Sequence, residues 1–182
     1  MNIDPLLGLI RRYESGNDYN IVWSGISKHD RPKKPLSTMT VREVLAWQDS
    51  IDHRYMSEAA GAYQIMEDTL RTLRISMDAV FDKKTQDSLA VQLLRRRSLD
   101  QFIAGKITAE MFGNKIAKEW ASFPVMTGPK KGRSYYAGDG LNKAHVKPEQ
   151  VLRAINEIKR EQPKPVKTGF AAWIMAFFGG KK

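Results

Sequence analysis

"RRYESGNDYN", residues 11–20, is where a helical pattern stops and a carboxylate is left at the stopping point. Upstream, Leu6, Leu9, Ile10 and Tyr13 recur at i, i+3, i+4 and i+7, one apolar stripe on a helix. Asp4 is the expected N-cap and Pro5 the expected first helical residue. Gly16 is the expected stop, because a residue without a β-carbon takes the left-handed conformation of a helix end at little steric cost. Glu14 follows Ile10 by four residues, at the edge of the stripe and at the negative end of the helix dipole. The dipole and partial burial both favour the neutral carboxyl, as a general acid at neutral pH requires. Periodicity alone leaves two readings open: a general acid, or an ordinary surface glutamate on a last helical turn.

Outward from this stretch the pattern is mostly helical. Residues 17–37 carry Pro32, Pro35 and Gly25 and read as irregular, with a possible short hairpin between 19 and 36. Thr40 and Glu43 form a capping-box signature ahead of Val44, Leu45 and Trp47. "MSEAAGAYQIMEDTLRTL", 56–73, reads as a small-residue loop or hairpin around Gly61 leading into a helix. Asp82 is a candidate cap for a helix that turns Leu89, Leu93 and Leu94 inward. Thr108 begins another, with Met111, Phe112, Ile116 and Trp120. After a Gly-rich loop over 124–144, Pro148 opens a last helix through Val151, Leu152, Ile155 and Ile158. The expected class is mainly α: a helical domain over 1–160 with a small β-hairpin region.

Beyond it, "EQPKPVK", 161–167, reads as a linker, and the domain plan assigns 161–168 to it. Residues 169–182 form an apolar tail in which Phe170, Trp173, Ile174, Phe177 and Phe178 share one helical face. Its apolar run is too short for a membrane span. Followed by Lys181 and Lys182, it suits shallow insertion into an anionic membrane surface, or folding back over an apolar groove.

Composition narrows the class further. The chain has 182 residues, 42% of them apolar and 27% charged, and no cysteine, so disulfides and thiolate metal sites are excluded. Asp4 and Pro5 precede the first apolar run and the arginines follow it, the reverse of a secretory signal. The net charge is +10, and it is uneven. Residues 1–127 hold 18 Lys/Arg against 16 Asp/Glu, whereas residues 128–182 hold 12 against 4. That C-terminal excess points to an anionic partner: nucleic acid, anionic lipid or a cell-wall polymer. No zinc-finger or RNP pattern appears, so nucleic acid is not the expected one. Arg95–Arg97 read as a solvated helix face. His29, His53 and His145 show no ligand spacing, and no metal or other cofactor is expected.

"ESGNDYN", then "SEAAGAYQI", then "TQDSLAVQLL" and "KEWASFPV" occur in an order that resembles the peptidoglycan-cleaving endolysins of bacteriophages. Within them the resemblance is to the lambda-type lytic transglycosylases, which have a lysozyme-like fold. It spans roughly residues 10–145. It implies that Glu14 is the catalytic acid, and that Ser57, Gly61, Tyr63 and Gln64 belong to the segment lining a glycan cleft flanked by the hairpin region. Trp120, Ser122 and Pro124 match a late structural element. Ser15 follows the glutamate where the lambda-type pattern has glycine, and residues 163–182 have no counterpart. The implied partner is the peptidoglycan glycan strand. The chain is expected to be a monomer made in the host cytoplasm without a signal peptide, acting on the periplasmic wall as a free endolysin or as part of a virion.

The residues keep their alternatives. Tyr63 reads as core or as a sugar-facing ring, Gln64 as a cleft hydrogen-bonder or a loop anchor, and Trp120 as core. Tyr135 and Tyr136 read as a sugar-stacking pair or as a packed turn. Glycosidases usually pair two carboxylates, about 5–5.5 Å apart in retaining enzymes and about 6.5–9.5 Å apart in inverting ones. A lytic transglycosylase manages with one, because the C6 hydroxyl of the substrate attacks the anomeric carbon. Possible second acids are Asp18 and Glu58, with Asp30 and Asp52 further off; position 23, where the phage lysozyme pattern puts its aspartate, is Trp23. The single-acid reading is preferred. A hydrolytic muramidase and a non-catalytic peptidoglycan-binding module are the alternatives.

Overall fold

Helix starts follow local hydrogen-bonding chemistry in the computed structural model, which describes residues 2–140 and 142–158. Helix α1 spans Asp4–Ser15, and it starts one residue earlier than its sequence suggests: Ile3 is the N-cap and Asp4 lies in the first turn. Gly16 ends it at φ 63°, the left-handed stop. Helix α2, Val41–Ile51, is started by the full Thr40–Glu43 capping box. Helix α3 is the short Glu67–Arg71. The Asp82 carboxylate accepts from Thr85 N–H at the start of α4, Lys83–Arg96. Helix α5, Leu99–Ile103, follows at once, and the Thr108 hydroxyl caps α6, Ala109–Ile116. Helix α7 is Pro148–Asn156.

The stripe on α1 is rotated relative to its simplest reading. Leu6, Leu7 and Ile10 are buried, while Leu9 and Tyr13 are only partly so. The Tyr13 hydroxyl instead reaches Gln150 Oε1 of α7 at 3.4 Å. Among the described helices, α7 packs against both α1 and α6, α6 against α5, and α5 against α4; α2 and α3 form a separate pair. Phe102 and Phe112 stack at 5.2 Å between α5 and α6. One continuous apolar cluster runs through both groups, from Leu6 to Ile158. No helix among the described residues is long and apolar enough to cross a membrane.

The expected β-hairpin over 19–36 does not form, and no strand is present among the described residues. Pro32 and Pro35 have no N–H to give a ladder. Short 3₁₀ turns occupy Lys28–Asp30 and Leu36–Thr38. The backbone groups that could pair across a hairpin go elsewhere: Trp23 N–H donates to Ala59 O at 3.1 Å, and Ile21 O accepts from Gly61 N–H at 2.8 Å. In place of a hairpin there are isolated antiparallel bridges, Val22 with Ala60 and Ala60 with Ile65. The linker over 161–168 and the tail over 169–182 lie outside the described residues.

Candidate active site

Glu14 stands in the last turn of α1, and the turn is locked behind it. The hydroxyl of Ser15, which is buried, donates to Arg11 O at 2.8 Å, and Asn17 N–H reaches the same carbonyl at 3.2 Å. Ser15 thus turns back onto its own helix, and Glu14, the residue before it, is left half-buried. Its Oε1 accepts a hydrogen bond from the Ser122 hydroxyl. Burial is the larger influence on Glu14 and raises its pKa; the Ser122 hydrogen bond, which favours the ionised form, opposes it. The result is a carboxyl held above the ordinary glutamate range.

Ser122 is itself buried and fixed through its backbone. Its carbonyl accepts from His145 N–H at 2.8 Å and from Val146 N–H at 3.2 Å. The donor aimed at Glu14 is therefore carried by a rigid segment.

The loop over 58–66 is held from three sides. From α2, Gln48 Nε2 donates to Glu58 O at 3.0 Å and to Ile65 O at 2.9 Å. From α4, Gln86 Oε1 accepts from Ala62 N–H at 2.8 Å, and its Nε2 donates to Tyr19 O and Phe81 O. Trp120 Nε1 donates to Tyr63 O at 3.1 Å. Both glutamines are fully buried. Gly61 is required where it stands: its φ is +74°, and a β-carbon would meet Gln86 Oε1 at 2.3 Å.

Tyr63 is 1% exposed and has no ring face open to a sugar. Its sugar-facing reading gives way to an internal one. The phenol donates to Asp87 Oδ1 at 2.6 Å and accepts from Arg11 Nη1 at 2.8 Å. Tyr19 donates to the same Asp87 oxygen at 2.8 Å, and Arg11 pairs with it at 3.2 Å. Burial, with the adjacent Asp87 carboxylate, pushes the Tyr19 phenol up to about 12 and that of Tyr63 further in the same direction. This cluster ties α1, one turn before Glu14, to α4 and to the 58–66 loop.

The remaining candidates sit as follows. The Ser57 hydroxyl is half-buried, accepts from Ala59 N–H at 3.2 Å and contacts Met66 Sδ. Gln64 is half-buried at φ 50°, and its Nε2 folds back onto Gly61 O at 3.0 Å, the loop-anchor arrangement. Tyr135 and Tyr136 are exposed, 39% and 42%, and meet edge to face at 5.2 Å. Trp120 is core.

Each second-acid candidate accepts a backbone hydrogen bond of its own. Glu58 is buried, and its Oε1 accepts from Glu67 N–H at 3.0 Å, so its charge serves the N-terminus of α3. Asp18 is exposed and closes its own turn by accepting from Asn20 N–H at 2.8 Å. Among the described residues no group of three or more His, Cys, Asp or Glu side chains could hold a metal ion.

Ser122, Gln86, Asp87, Gln48 and Arg11 carry the architecture of the site; of these the sequence marked only Ser122, and as part of a late structural element. Ser122, Gln86 and Asp87 do lie inside two of the four motif blocks, which was the signal available.

A family model described as Endolysin matches residues 11–149, a span that begins at Arg11 and contains Glu14, the 58–66 loop, α4 and Ser122. No curated protein and no solved structure matches the chain. The chain belongs to the endolysin family, phage enzymes that degrade the peptidoglycan of the bacterial cell wall.

Proposed function

We propose that this endolysin cleaves the β-1,4 bond between N-acetylmuramic acid and N-acetylglucosamine as a lytic transglycosylase, with Glu14 as its one acid and base. The observation that carries the reading is the environment of Glu14. A half-buried carboxyl with a raised pKa, held by the Ser122 hydroxyl, is suited to donate a proton at neutral pH and to take one back. Asp18 and Glu58 are engaged in their own backbone hydrogen bonds, which favours one acid over two.

In this reading the protonated Glu14 gives its proton to the glycosidic oxygen as the bond from that oxygen to the muramic C1 breaks. The C6 hydroxyl of the same muramic residue attacks C1, and the Glu14 carboxylate accepts the hydroxyl proton. The products are a 1,6-anhydro-muramic end and a free C4 hydroxyl on the departing glucosamine, with Glu14 again protonated. No water is consumed. Tyr136 and Tyr135, exposed on the loop beyond Ser122, offer aromatic faces to the sugar chain.

Glu14→Gln tests the assignment, because the amide keeps shape and hydrogen bonding while removing the titratable proton. The folded variant should lose about 10²–10⁴-fold in wall-degrading rate, the usual contribution of a general acid. Retention of the parental rate in a folded Gln variant overturns the assignment.

A further inference from the structure

Two ammonium groups converge on one exposed ring of the loop that follows Ser122. Lys118 Nζ lies 5.0 Å and Lys130 Nζ 5.8 Å from the centroid of Tyr135. Lys130 also donates to Tyr135 O at 2.9 Å, and the Tyr136 hydroxyl donates to Lys118 O at 2.8 Å. Both lysines are exposed, as are Lys131 and Arg133 on the same loop. No carboxylate forms an ion pair with any of these four cations among the described residues. Two of these charges are therefore gathered against one aromatic ring.

The group is fixed to the backbone that holds Glu14. Val125 N–H donates to Arg133 O at 2.8 Å, Gly132 N–H to Val125 O at 2.9 Å, and Pro124 bridges to the buried Ser134. Lys118 lies four residues ahead of Ser122, in the turn that follows α6, and Pro124 two residues after it. Whatever binds at Tyr135 binds to the segment that orients the acid.

We propose that Lys118 and Lys130, both against Tyr135, hold the carboxylates of the peptide stem carried by the muramic residue, so that the enzyme selects glycan with ionised stems over glycan whose stem carboxylates are blocked. This rests on the reading of the chain as a peptidoglycan-cleaving enzyme and specifies its substrate. In peptidoglycan the muramic carboxyl is taken up in the amide to the stem, so the stem's own carboxylates supply the negative charge along the strand. A paired-cation surface next to a sugar-stacking ring matches a polymer that carries a carboxylate peptide on every second sugar.

The test is binding of soluble glycan strands, with stem carboxylates free or converted to neutral amides, to full-length Glu14→Gln, in which turnover is not expected to obscure affinity. Strands with free stem carboxylates should bind about tenfold more tightly than amidated ones, a preference that raised salt diminishes. Lys118→Gln/Lys130→Gln should reduce the preference to within about twofold, and Lys118→Arg/Lys130→Arg should restore it, since the charge returns on a different side chain. A parent without the preference, a Gln pair that keeps it, or a Gln pair that weakens both strands equally would overturn the proposal. Displacement by polyphosphate but not by stem peptide would also overturn it, and would mark the surface as one for phosphate polymers. If Glu14→Gln still cleaves glycan, the catalytic reading fails on its own, and the same comparison at 4 °C over times shorter than turnover still decides the role of the lysines.

Discussion

The Ser122 hydroxyl donates to the Glu14 carboxylate across 108 positions of sequence. The two residues come from unrelated local structures, a helix end and a buried turn, and the hydrogen bond joins them at a carboxyl whose pKa burial raises. This pairing opposes the effect of burial: removing the donor should leave a carboxyl that is still harder to ionise. Ser122→Ala is therefore expected to move the alkaline limb of the pH–rate profile to higher pH. It should also lower the maximal rate about tenfold, because an unheld acid samples other rotamers. A profile recorded on purified wall between pH 5 and 9 checks this, and an unshifted limb would separate Ser122 from the titration of Glu14.

Stability carries the same signature with a definite sign. The folded-state pKa of Glu14 lies above its unfolded value, so between the two the native state binds more protons than the unfolded state. Stability then falls as pH rises from the ordinary carboxylate range through the raised folded value. Below the unfolded value Glu14 contributes no pH dependence. Glu14→Gln removes the ionisation and should melt higher than the parent at pH 7, by on the order of a few degrees, with the difference vanishing near pH 4. A Gln variant that melts lower at pH 7 would contradict the raised pKa.

Gly61 and Gly105 make a matched pair for the clamp on the 58–66 loop. Both have positive φ, 74° and 70°, but a β-carbon on Gly105 meets nothing within 4 Å whereas one on Gly61 runs into Gln86. Gly105→Ala should cost about 1 kcal/mol, the left-handed penalty alone. Gly61→Ala should cost about 3 kcal/mol or more, since it also displaces a buried amide that makes three hydrogen bonds. Urea unfolding of the two variants against the parent measures the gap.

What could be read in advance was local. Thr40 with Glu43, Asp82 with Thr85, Thr108 with Met111 and the Gly16 stop each lie within a few residues of their partners, and their chemistry is visible in a short window. Helix α5 escaped notice because Ser98, at φ 76°, breaks it from α4 and leaves only five residues, too few to show a period. The hairpin failed because Ile21 and Trp23 pair with Gly61 and Ala59 rather than within their own segment. Tyr63 was ambiguous for the same reason: what decides its burial is Asp87 on α4 and Arg11 on α1, which no periodicity links. A helix end and an apolar edge, both local facts, made Glu14 a candidate, and the motif order shared with endolysins singled it out. Its partner could not be identified, since Ser122 meets it only through the fold.

The last prediction concerns the products and the number of acids. Were a second carboxylate to activate water, cleavage would leave reducing muramic ends. With Glu14 alone, the C6 hydroxyl closes the ring and the ends are 1,6-anhydro. Mass analysis of digested muropeptides distinguishes the two by the mass of one water, and the anhydro form is expected. Asp18→Asn should leave rate and product unchanged, because Asp18 is exposed and closes a turn that an amide oxygen can also close. Glu58→Gln should keep the same product while costing about 0.5–1 kcal/mol, because its amide still accepts from Glu67 N–H but no longer brings a charge to the start of α3. Reducing ends that disappear in either variant would identify that residue as the base and make the enzyme a hydrolase. Anhydro ends in the parent and in both variants would leave Glu14 as the one carboxyl through which the proton passes out and back.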